Sequence, residues 1–106
     1  MSAMPSLKYI TEQIVKRVSP KRIAVFGSYA SGSQTPDSDV DIFVEIADNQ
    51  DLFQVKREIN RALIDRDYSL DLIVETTSLI AKNRENKASF YSMAIEGQCK
   101  VMYEQS

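Results

Sequence analysis

The segment from residue 39 to residue 46 alternates strictly between aliphatic and other side chains, and this pattern constrains the fold more than any other in the chain. One set of alternate positions holds Val40, Ile42, Val44 and Ile46. The other set holds Asp39, Asp41, Phe43 and Glu45. Because successive side chains of a strand point to opposite faces, the segment is predicted to be a β-strand with one apolar face and one face rich in carboxylates.

The rest of the chain predicts helices and short strands on either side of this strand. The predicted order is a helix over residues 6–18, a strand over 22–26, a polar loop with one helical turn over 27–38, the strand over 39–46, a helix over 51–66, a strand over 69–75, a helical stretch from 77 to 96 and a strand over 100–103. The expected end signals are Pro20 after the first helix, Asp48, Asn49 or Asp51 before the second, Thr77 or Ser78 at the start of the last helical stretch, and Gly97 after it. This order predicts an α/β (α+β) fold, a single domain over residues 1–106 in which a small mixed β-sheet has helices packed on one face. The other face is then available for a functional site.

The composition narrows the classes of function. The 106 residues carry a formal net charge of −2, one cysteine and no histidine. The single Cys99 excludes an internal disulfide, and the negative charge argues against a nucleic-acid partner. Without histidine, proton transfer near neutral pH falls to carboxylates, Lys, Tyr or metal-bound water. The apolar stretches are far shorter than the roughly 20 residues that cross a bilayer, and residues 1–6 lack a signal-peptide pattern, so we expect a cytoplasmic protein without membrane contacts.

Three short pieces carry candidate chemistry: Gly27-Ser28, then Asp39-Val40-Asp41 after ten intervening residues, then Asp71 in the third strand. Asp39 and Asp41 are two residues apart on a strand, so their Cα atoms are about 6.6 to 6.8 Å apart and their carboxylates can converge. If Asp71 joined them at about 5 Å, repulsion among the three charges would cost roughly 10 kcal/mol at an effective dielectric near 20. Bound divalent cations would remove this cost, as would protonation of one acid or a geometry without convergence.

Of these three possibilities, only bound divalent cations would explain why the aspartates are placed together. Hard oxygen ligands favour Mg²⁺, or Mn²⁺ in its place, and two ions are expected. Asp39, Asp41 and Asp71 are thus the candidate metal ligands and catalytic residues. Gly27 can adopt a positive φ that lets the backbone approach a phosphate, and the Ser28 hydroxyl with nearby backbone N–H groups can bind that phosphate.

With these residues in place, the segment GSYASGSQTPDSDVDIFVEI, followed by LDLIV, resembles the nucleotidyltransferase superfamily that includes DNA polymerase β, over residues 23–74. The chain is similar in particular to the minimal nucleotidyltransferases, including the MntA-type antitoxins of HEPN-domain toxins. The resemblance implies a polymerase-β-like fold, ATP as the nucleoside triphosphate, and transfer of AMP to a hydroxyl of a partner protein. For the antitoxin members that hydroxyl belongs to a tyrosine of a HEPN-domain toxin encoded nearby. In this setting Asp39 and Asp41 hold the nucleotide's metal ion, and Asp71 completes the site of the second ion.

Two positions depart from the family pattern. Relatives often carry basic residues where this chain has Tyr29 and Ser31, so less positive charge faces the triphosphate. Other basic residues are candidates to compensate: Lys21, Arg22, Arg57, Arg61 and Arg84. The alternative function is therefore a weakly active or inactive module that neutralises its partner by occlusion. Transfer to a small molecule or an RNA end ranks below both, because the sequence indicates neither a substrate domain nor a basic groove.

Structural roles compete with the functional ones. Gly27-Ser28 taken alone is a turn, and Asp71 taken alone is a solvent-facing residue of an edge strand. The apolar stripe over residues 90–95 is predicted to be core or a partner surface, and Arg57, Arg61 and Arg66 are predicted to form a solvated helix face. The sequence leaves the oligomeric state open, and a homo-oligomer is compatible with it.

Overall fold

A computed structural model describes residues 5–84 and 99–105, and within them four strands form one mixed β-sheet. In chain order the elements are α1 (Leu7–Val18), β1 (Arg22–Phe26), α2 (Ser28–Ser31), β2 (Val40–Ile46), α3 (Leu52–Ala62), β3 (Leu70–Thr76), α4 (Thr77–Arg84) and β4 (Cys99–Glu104). Every predicted strand is present, including the last one. The predicted continuation of the last helical stretch to Glu96, its end at Gly97 and the stripe over residues 90–95 lie outside the described residues. Across the described ranges, no helix combines the length and the apolar character that spanning a bilayer requires.

The sheet order is β3-β2-β1-β4, so β2 and β1 are central and β3 and β4 are the two edges. β1 pairs antiparallel with both β2 and β4, whereas β2 pairs parallel with β3. Parallel neighbours need a crossover connection, and α3 supplies it between the end of β2 and the start of β3. α3 therefore runs opposite to both strands, and its C-terminal end lies at the end of the sheet where β2 and β3 begin.

The face of the sheet that carries the aliphatic set of β2 is covered by α1 and α3. Ile10 and Ile14 of α1 and Ile59 of α3 are buried in one cluster with this set. Ile10, Ile14 and Val18 recur every four residues, so they form one stripe along α1. The prediction of a mixed sheet with helices on one face is confirmed for α1 and α3.

The opposite face of the sheet carries the second set of β2 side chains and a smaller core. Phe26, Phe43 and Ile80 are buried together there, and Ile80 comes from α4. α4 thus adds a partial cover that the sequence pattern did not predict. Asp41, which is half-buried, lies on the same face as Phe43, two residues closer to the start of β2.

α3 is shorter than predicted. Asp51 caps its start by accepting two backbone N–H groups, as expected, but the helix ends at Ala62 rather than at residue 66. The backbone N–H of Arg66 donates to the Leu63 carbonyl at 3.2 Å, and its guanidinium donates to the same oxygen at 3.1 Å. These two bonds satisfy a carbonyl at the end of the helix, so the chain leaves α3 in a turn.

The start of α4 also differs from its predicted form. Its cap is Thr76, whose hydroxyl accepts the N–H of Leu79 at 3.3 Å. The predicted caps make other contacts: the Thr77 hydroxyl donates to Oε2 of Glu45 at 2.9 Å, and the N–H of Ser78 donates to Asp48 at 2.9 Å. The first turn of α4 is therefore held against the end of β2 and the loop that follows it.

Candidate active site

Asp41 and Asp71 are direct neighbours across the parallel pair of β2 and β3. Adjacent strands lie about 4.8 Å apart, and residues in register point to the same face. A side-chain hydrogen bond with Asp71 contributes to the pKa of Asp41, so the two carboxyl groups are within hydrogen-bonding reach of each other. The structure thus brings Asp71 beside Asp41, while metal binding by the pair stays a prediction.

Asp39 interacts electrostatically with Asp41. It lies directly before β2 and is exposed to solvent. Burial raises the pKa of Asp41, and the charges of Asp71 and Asp39 and the hydrogen bond with Asp71 raise that pKa further. Burial is thus the largest cause of the raised pKa of Asp41, and repulsion by the charges of Asp71 and Asp39 adds to it.

Gly27 explains how the Asp41 carboxylate fits beside the end of β1. It follows Phe26, which pairs in register with Asp41. Its φ of +71° is one that residues with a side chain rarely adopt. A Cβ atom placed on Gly27 would also overlap Oδ2 of Asp41 and lie 3.3 Å from its Cγ. Gly27 therefore both turns the chain into α2 and leaves room for the Asp41 carboxylate.

Ser28 begins α2, the single helical turn that the sequence predicted in this loop. The Gly27 carbonyl accepts the N–H groups of Ala30 and Ser31 at 3.1 and 3.2 Å, so backbone bonds close the turn. The first N–H groups of a helical turn have no partner within it. Ser28 thus follows directly on the residue that contacts Asp41, and phosphate binding by its hydroxyl and by these N–H groups stays a prediction.

Neither residue at the two departures from the family pattern presents a positive charge. Tyr29 is buried in the core beneath α1 and α3, with an exposed fraction of 6%. The Ser31 hydroxyl lies within hydrogen-bonding distance of the Ser28 carbonyl, at 3.2 Å, and of the Ser33 hydroxyl, at 2.8 Å. Tyr29 is therefore a packing residue, although the sequence indicated a loop position.

Two of the basic residues that were candidates to compensate lie at the far end of the sheet. Arg22 pairs in register with Glu45 and forms an ion pair with it at 3.5 Å. Arg22 and Phe26 are four positions apart, which is about 13 Å along a strand, and Phe26 is the neighbour of Asp41. Lys21 and Arg22 instead line a cavity of about 300 Å³ at their own end. The structure therefore places them away from the aspartates, and the Arg84 side chain lies outside the described residues.

Arg57 and Arg61 lie on α3, which covers the other face of the sheet. With Arg66 from the turn after α3, they line a groove of about 500 Å³. The expectation that the chain has no basic groove is therefore wrong. Helical periodicity places Arg57 near Arg61, but the contribution of Arg66 depends on where α3 ends, and the sequence pattern extended α3 past that point.

The donor chemistry of the three aspartates fits a hard divalent cation. Carboxylate oxygens are the ligands that Mg²⁺ and Mn²⁺ prefer, and a cation would offset both the burial and the repulsion that raise the pKa of Asp41. Within residues 5–84 and 99–105, however, no group of three His, Cys, Asp or Glu side chains is already arranged to hold a metal ion. Asp39 and Asp71 are both exposed, so packing does not fix either carboxylate, and a rearrangement of these side chains would be needed to complete the set.

Comparison with known proteins agrees with this geometry. Residues 7–95 match the family described as nucleotidyltransferase domain. A segment of 29 residues is 62% identical to part of a candidate protein adenylyltransferase from Methanocaldococcus jannaschii. That segment is 27% of this chain and 29% of the relative, so the match covers less than a third of the relative's length.

Solved structures share the fold at low sequence identity. A candidate nucleotidyltransferase from Sulfolobus solfataricus superposes with a TM-score of 0.60 at 18% identity, over 92% of this chain and 77% of that one. A toxin–antitoxin structure with AMP-PNP gives 0.54 at 22% identity, over 95% and 76% of the two chains. A variant of the MntA–HpeT toxin–antitoxin gives 0.56 at 22% identity, with the same coverage. At these identities the likeness establishes the fold, a small mixed sheet with helices.

Proposed function

Because this chain belongs to the nucleotidyltransferase domain family, we propose that it transfers AMP from ATP to a hydroxyl group of a partner protein. The acceptor is a tyrosine of a HEPN-domain toxin, and the chain acts as the antitoxin of that toxin. One observation carries the proposal: Asp41 and Asp71 are paired on one face of the sheet, beside a glycine that makes room for the Asp41 carboxylate.

In the proposed reaction the acceptor oxygen attacks the α-phosphorus of ATP, the bond to the β-phosphate oxygen breaks, and pyrophosphate leaves. The Ser28 hydroxyl and the first N–H groups of α2 bind the terminal phosphates and orient the triphosphate. A carboxylate oxygen of Asp71 receives the proton of the acceptor hydroxyl. Since the chain has no histidine, a carboxylate is the natural base here.

Asp39, Asp41 and Asp71 would hold two Mg²⁺ ions, or Mn²⁺, which would stabilise the charge on pyrophosphate and lower the pKa of the acceptor hydroxyl. Asp41 extends from β2 beside the turn that begins α2, and Asp71 extends from β3. The phosphate end of the site is thus next to Gly27, and the acceptor end is next to β3.

Three findings support the parts of this proposal. The family match supports nucleotidyl transfer. The relative from Methanocaldococcus jannaschii supports a protein as acceptor. The toxin–antitoxin structures, one of which contains AMP-PNP, support an adenine nucleotide and a toxin as partner.

The direct test is incubation of the protein with Mg²⁺, ATP labelled in its α-phosphate, and the HEPN-domain toxin encoded nearby. We expect label on a toxin tyrosine, and a loss of at least about 100-fold in the Asp39→Asn, Asp41→Asn double variant. Asp37→Asn is the matched control, since Asp37 is exposed in the same loop but is not among the interacting acids. Absence of label with wild-type protein, or equal labelling by the double variant, would rule out this function.

Occlusion without catalysis is the second candidate, and the surroundings of α2 favour it. Tyr29 is buried and Ser31 is neutral, so this turn offers a triphosphate no cationic side chain at those two positions. If the Asp39→Asn, Asp41→Asn variant neutralises the toxin as well as wild type does, occlusion is the mechanism. If the variant binds the toxin but does not neutralise it, catalysis is required.

A further inference from the structure

The groove at the end of α3 has a composition unlike the rest of the chain. We call it the arginine groove, and its lining is Arg57, Asn60, Arg61, Ile64, Arg66 and Tyr68. This lining, taken over the residues that the structure describes, has three guanidinium groups and no carboxylate, although the chain has a net charge of −2. Three of the 13 basic residues of an acidic protein therefore line one groove, although Glu58, Asp65 and Asp67 lie close to them in sequence.

The charges of the arginine groove are only partly neutralised by ion pairs in the described ranges. Arg57 and Arg61 are four residues apart on α3, a spacing at which like charges repel. Glu58 contacts Arg61 at 3.7 Å but also contacts Arg17 at 3.7 Å, so its charge is shared. Arg57 forms no ion pair with any residue in the described ranges. Concentrating these charges destabilises the free protein slightly and favours an anionic ligand.

The groove is also partly organised before any ligand binds. The Arg66 guanidinium donates to the Leu63 carbonyl at 3.1 Å and to Oδ1 of Asn60 at 3.3 Å, which fixes its orientation. Ile64 is 73% exposed, and half-buried Tyr68 lies beside it in the lining. Arginine and tyrosine around an exposed aliphatic residue form the composition typical of energetically dominant residues in protein interfaces.

The position of the groove connects it to the aspartates. Tyr68 precedes Asp71 by three residues, which is about 10 Å of extended chain. Ser69, between them, accepts the N–H of Val40 at 2.9 Å, directly after Asp39. The rim of the groove therefore adjoins the end of the sheet where the carboxylates lie, on the β3 side that we assigned to the acceptor.

We propose that the arginine groove binds an acidic segment of the protein that receives AMP, next to the acceptor hydroxyl; this assignment of the ligand rests on the proposed function. Charge complementarity identifies the ligand, because guanidinium groups pair with carboxylates in bidentate geometry. Ile64 and Tyr68 add a contact for an apolar residue between the acidic ones. The groove thus selects the partner, and the aspartates modify it.

The probe for this inference is a short fluorescein-labelled peptide of alternating Glu and Leu with one central Tyr, followed by fluorescence anisotropy at low salt. We expect binding that weakens with added salt and weakens about tenfold in the Arg57→Glu, Arg61→Glu variant. The matched control is Lys16→Glu, Lys100→Glu, which changes the charge equally on the opposite edge of the sheet, where Lys16 lies beside Tyr103 of β4. The control should bind within about twofold of wild type.

Two further measurements separate this inference from the proposed function. Thermal melts show whether each variant is folded. The milder variant Arg57→Ala, Arg61→Ala replaces the charge reversal if the latter does not fold. AMP-PNP binding is measured for every variant, and we expect it to be unchanged. Wild-type protein that binds the peptide but not AMP-PNP would remove the proposed function and keep the groove as an acidic-peptide site. Equal peptide binding by the variant and its control would overturn the inference, as would tighter, groove-dependent binding of a single-stranded oligouridylate.

Discussion

Gly27 combines a backbone requirement with a requirement for space. Its φ of +71° disfavours a side chain, and the Asp41 carboxylate occupies the position that a Cβ atom would take. The ψ of −146° places Gly27 in a backbone region that is essentially open only to glycine, so for Gly27→Ala we expect a loss of about 1–3 kcal/mol in the free energy of unfolding from the backbone alone. Displacement of Asp41 should lower the rate of AMP transfer by about 100-fold. Urea denaturation and the labelling assay measure the two effects.

Gly32 provides a control for the backbone contribution. Its φ is +80°, but no atom lies within 4 Å of a Cβ placed there. Because the ψ of 10° makes Gly32 left-handed helical, Gly32→Ala should lose about 1–2 kcal/mol in the free energy of unfolding and keep its transfer rate once the folded fraction is taken into account. If the two variants lost activity equally, contact between Gly27 and Asp41 would not be the cause.

Tyr29 places a hydroxyl in the core without a hydrogen bond from the described residues to offset its burial. Its oxygen is buried and has no hydrogen-bond partner among the described residues. Because an unpaired buried hydroxyl is unfavourable, Tyr29→Phe should raise the free energy of unfolding by about 1 kcal/mol. A fall of that size in urea denaturation would show that the hydroxyl has a partner.

The sequence predicted the conformation and the environment of some residues and not of others. The positive φ at Gly27 was predictable, because a strand ending in Gly-Ser before a polar loop requires a turn. The clash that a Cβ on Gly27 would make with Asp41 was not, since it depends on the pairing of Phe26 with Asp41 across two strands. The burial of Tyr29 was missed for the same reason: a polar loop gives no periodic signal, and burial there is decided by tertiary contacts.

At the scale of elements, the attachment of α4 depends on the loop after β2. Asp48 accepts both the backbone N–H and the hydroxyl of Ser78 in the first turn of α4. The side-chain and backbone hydrogen bonds from Ser78 lower the pKa of Asp48 from its ordinary value of 3.8; burial opposes this shift, and the charge of Lys21 adds to it. This contact therefore joins two elements that are distant in sequence.

The lowered pKa predicts how the contact responds to pH. Because the folded pKa lies below the unfolded one, the contact stabilises the fold fully above the unfolded value and loses its effect as pH falls through the folded value. Asp48→Ala should lower the melting temperature at neutral pH, and the difference from wild type should shrink below about pH 4. Ser78→Ala should show the same pH profile. A difference in melting temperature that does not change with pH would contradict this role.

The elements themselves were largely predictable, and their ends were not. Alternation in β2 and the four-residue stripe of α1 come from burial on one face, which the sequence records directly. The end of α3 depends on the bonds from Arg66 to Leu63. Such capping contacts leave little trace in periodicity.

At the scale of the whole molecule, the order of the strands creates the candidate site. Asp71 is separated from Asp41 by thirty positions, and only the parallel pairing of β2 with β3 makes them neighbours. The sequence predicted that the three aspartates converge on shared divalent cations. It could not show that α3 ends near them and carries a basic groove to the same end of the sheet.

The central claim is that Asp39, Asp41 and Asp71 share divalent cations beside Gly27. Binding of Mn²⁺ in the presence of AMP-PNP, followed by electron paramagnetic resonance, tests it most directly. We predict that wild-type protein binds Mn²⁺ and that Asp71→Asn binds it at least about tenfold more weakly. A loss of that size is typical even when the substituted residue only hydrogen-bonds to a metal ligand, and a direct ligand should lose at least as much. Asp37→Asn should match wild type. Wild-type protein that binds no Mn²⁺, or an Asp71→Asn variant that binds as tightly as wild type, would contradict the claim.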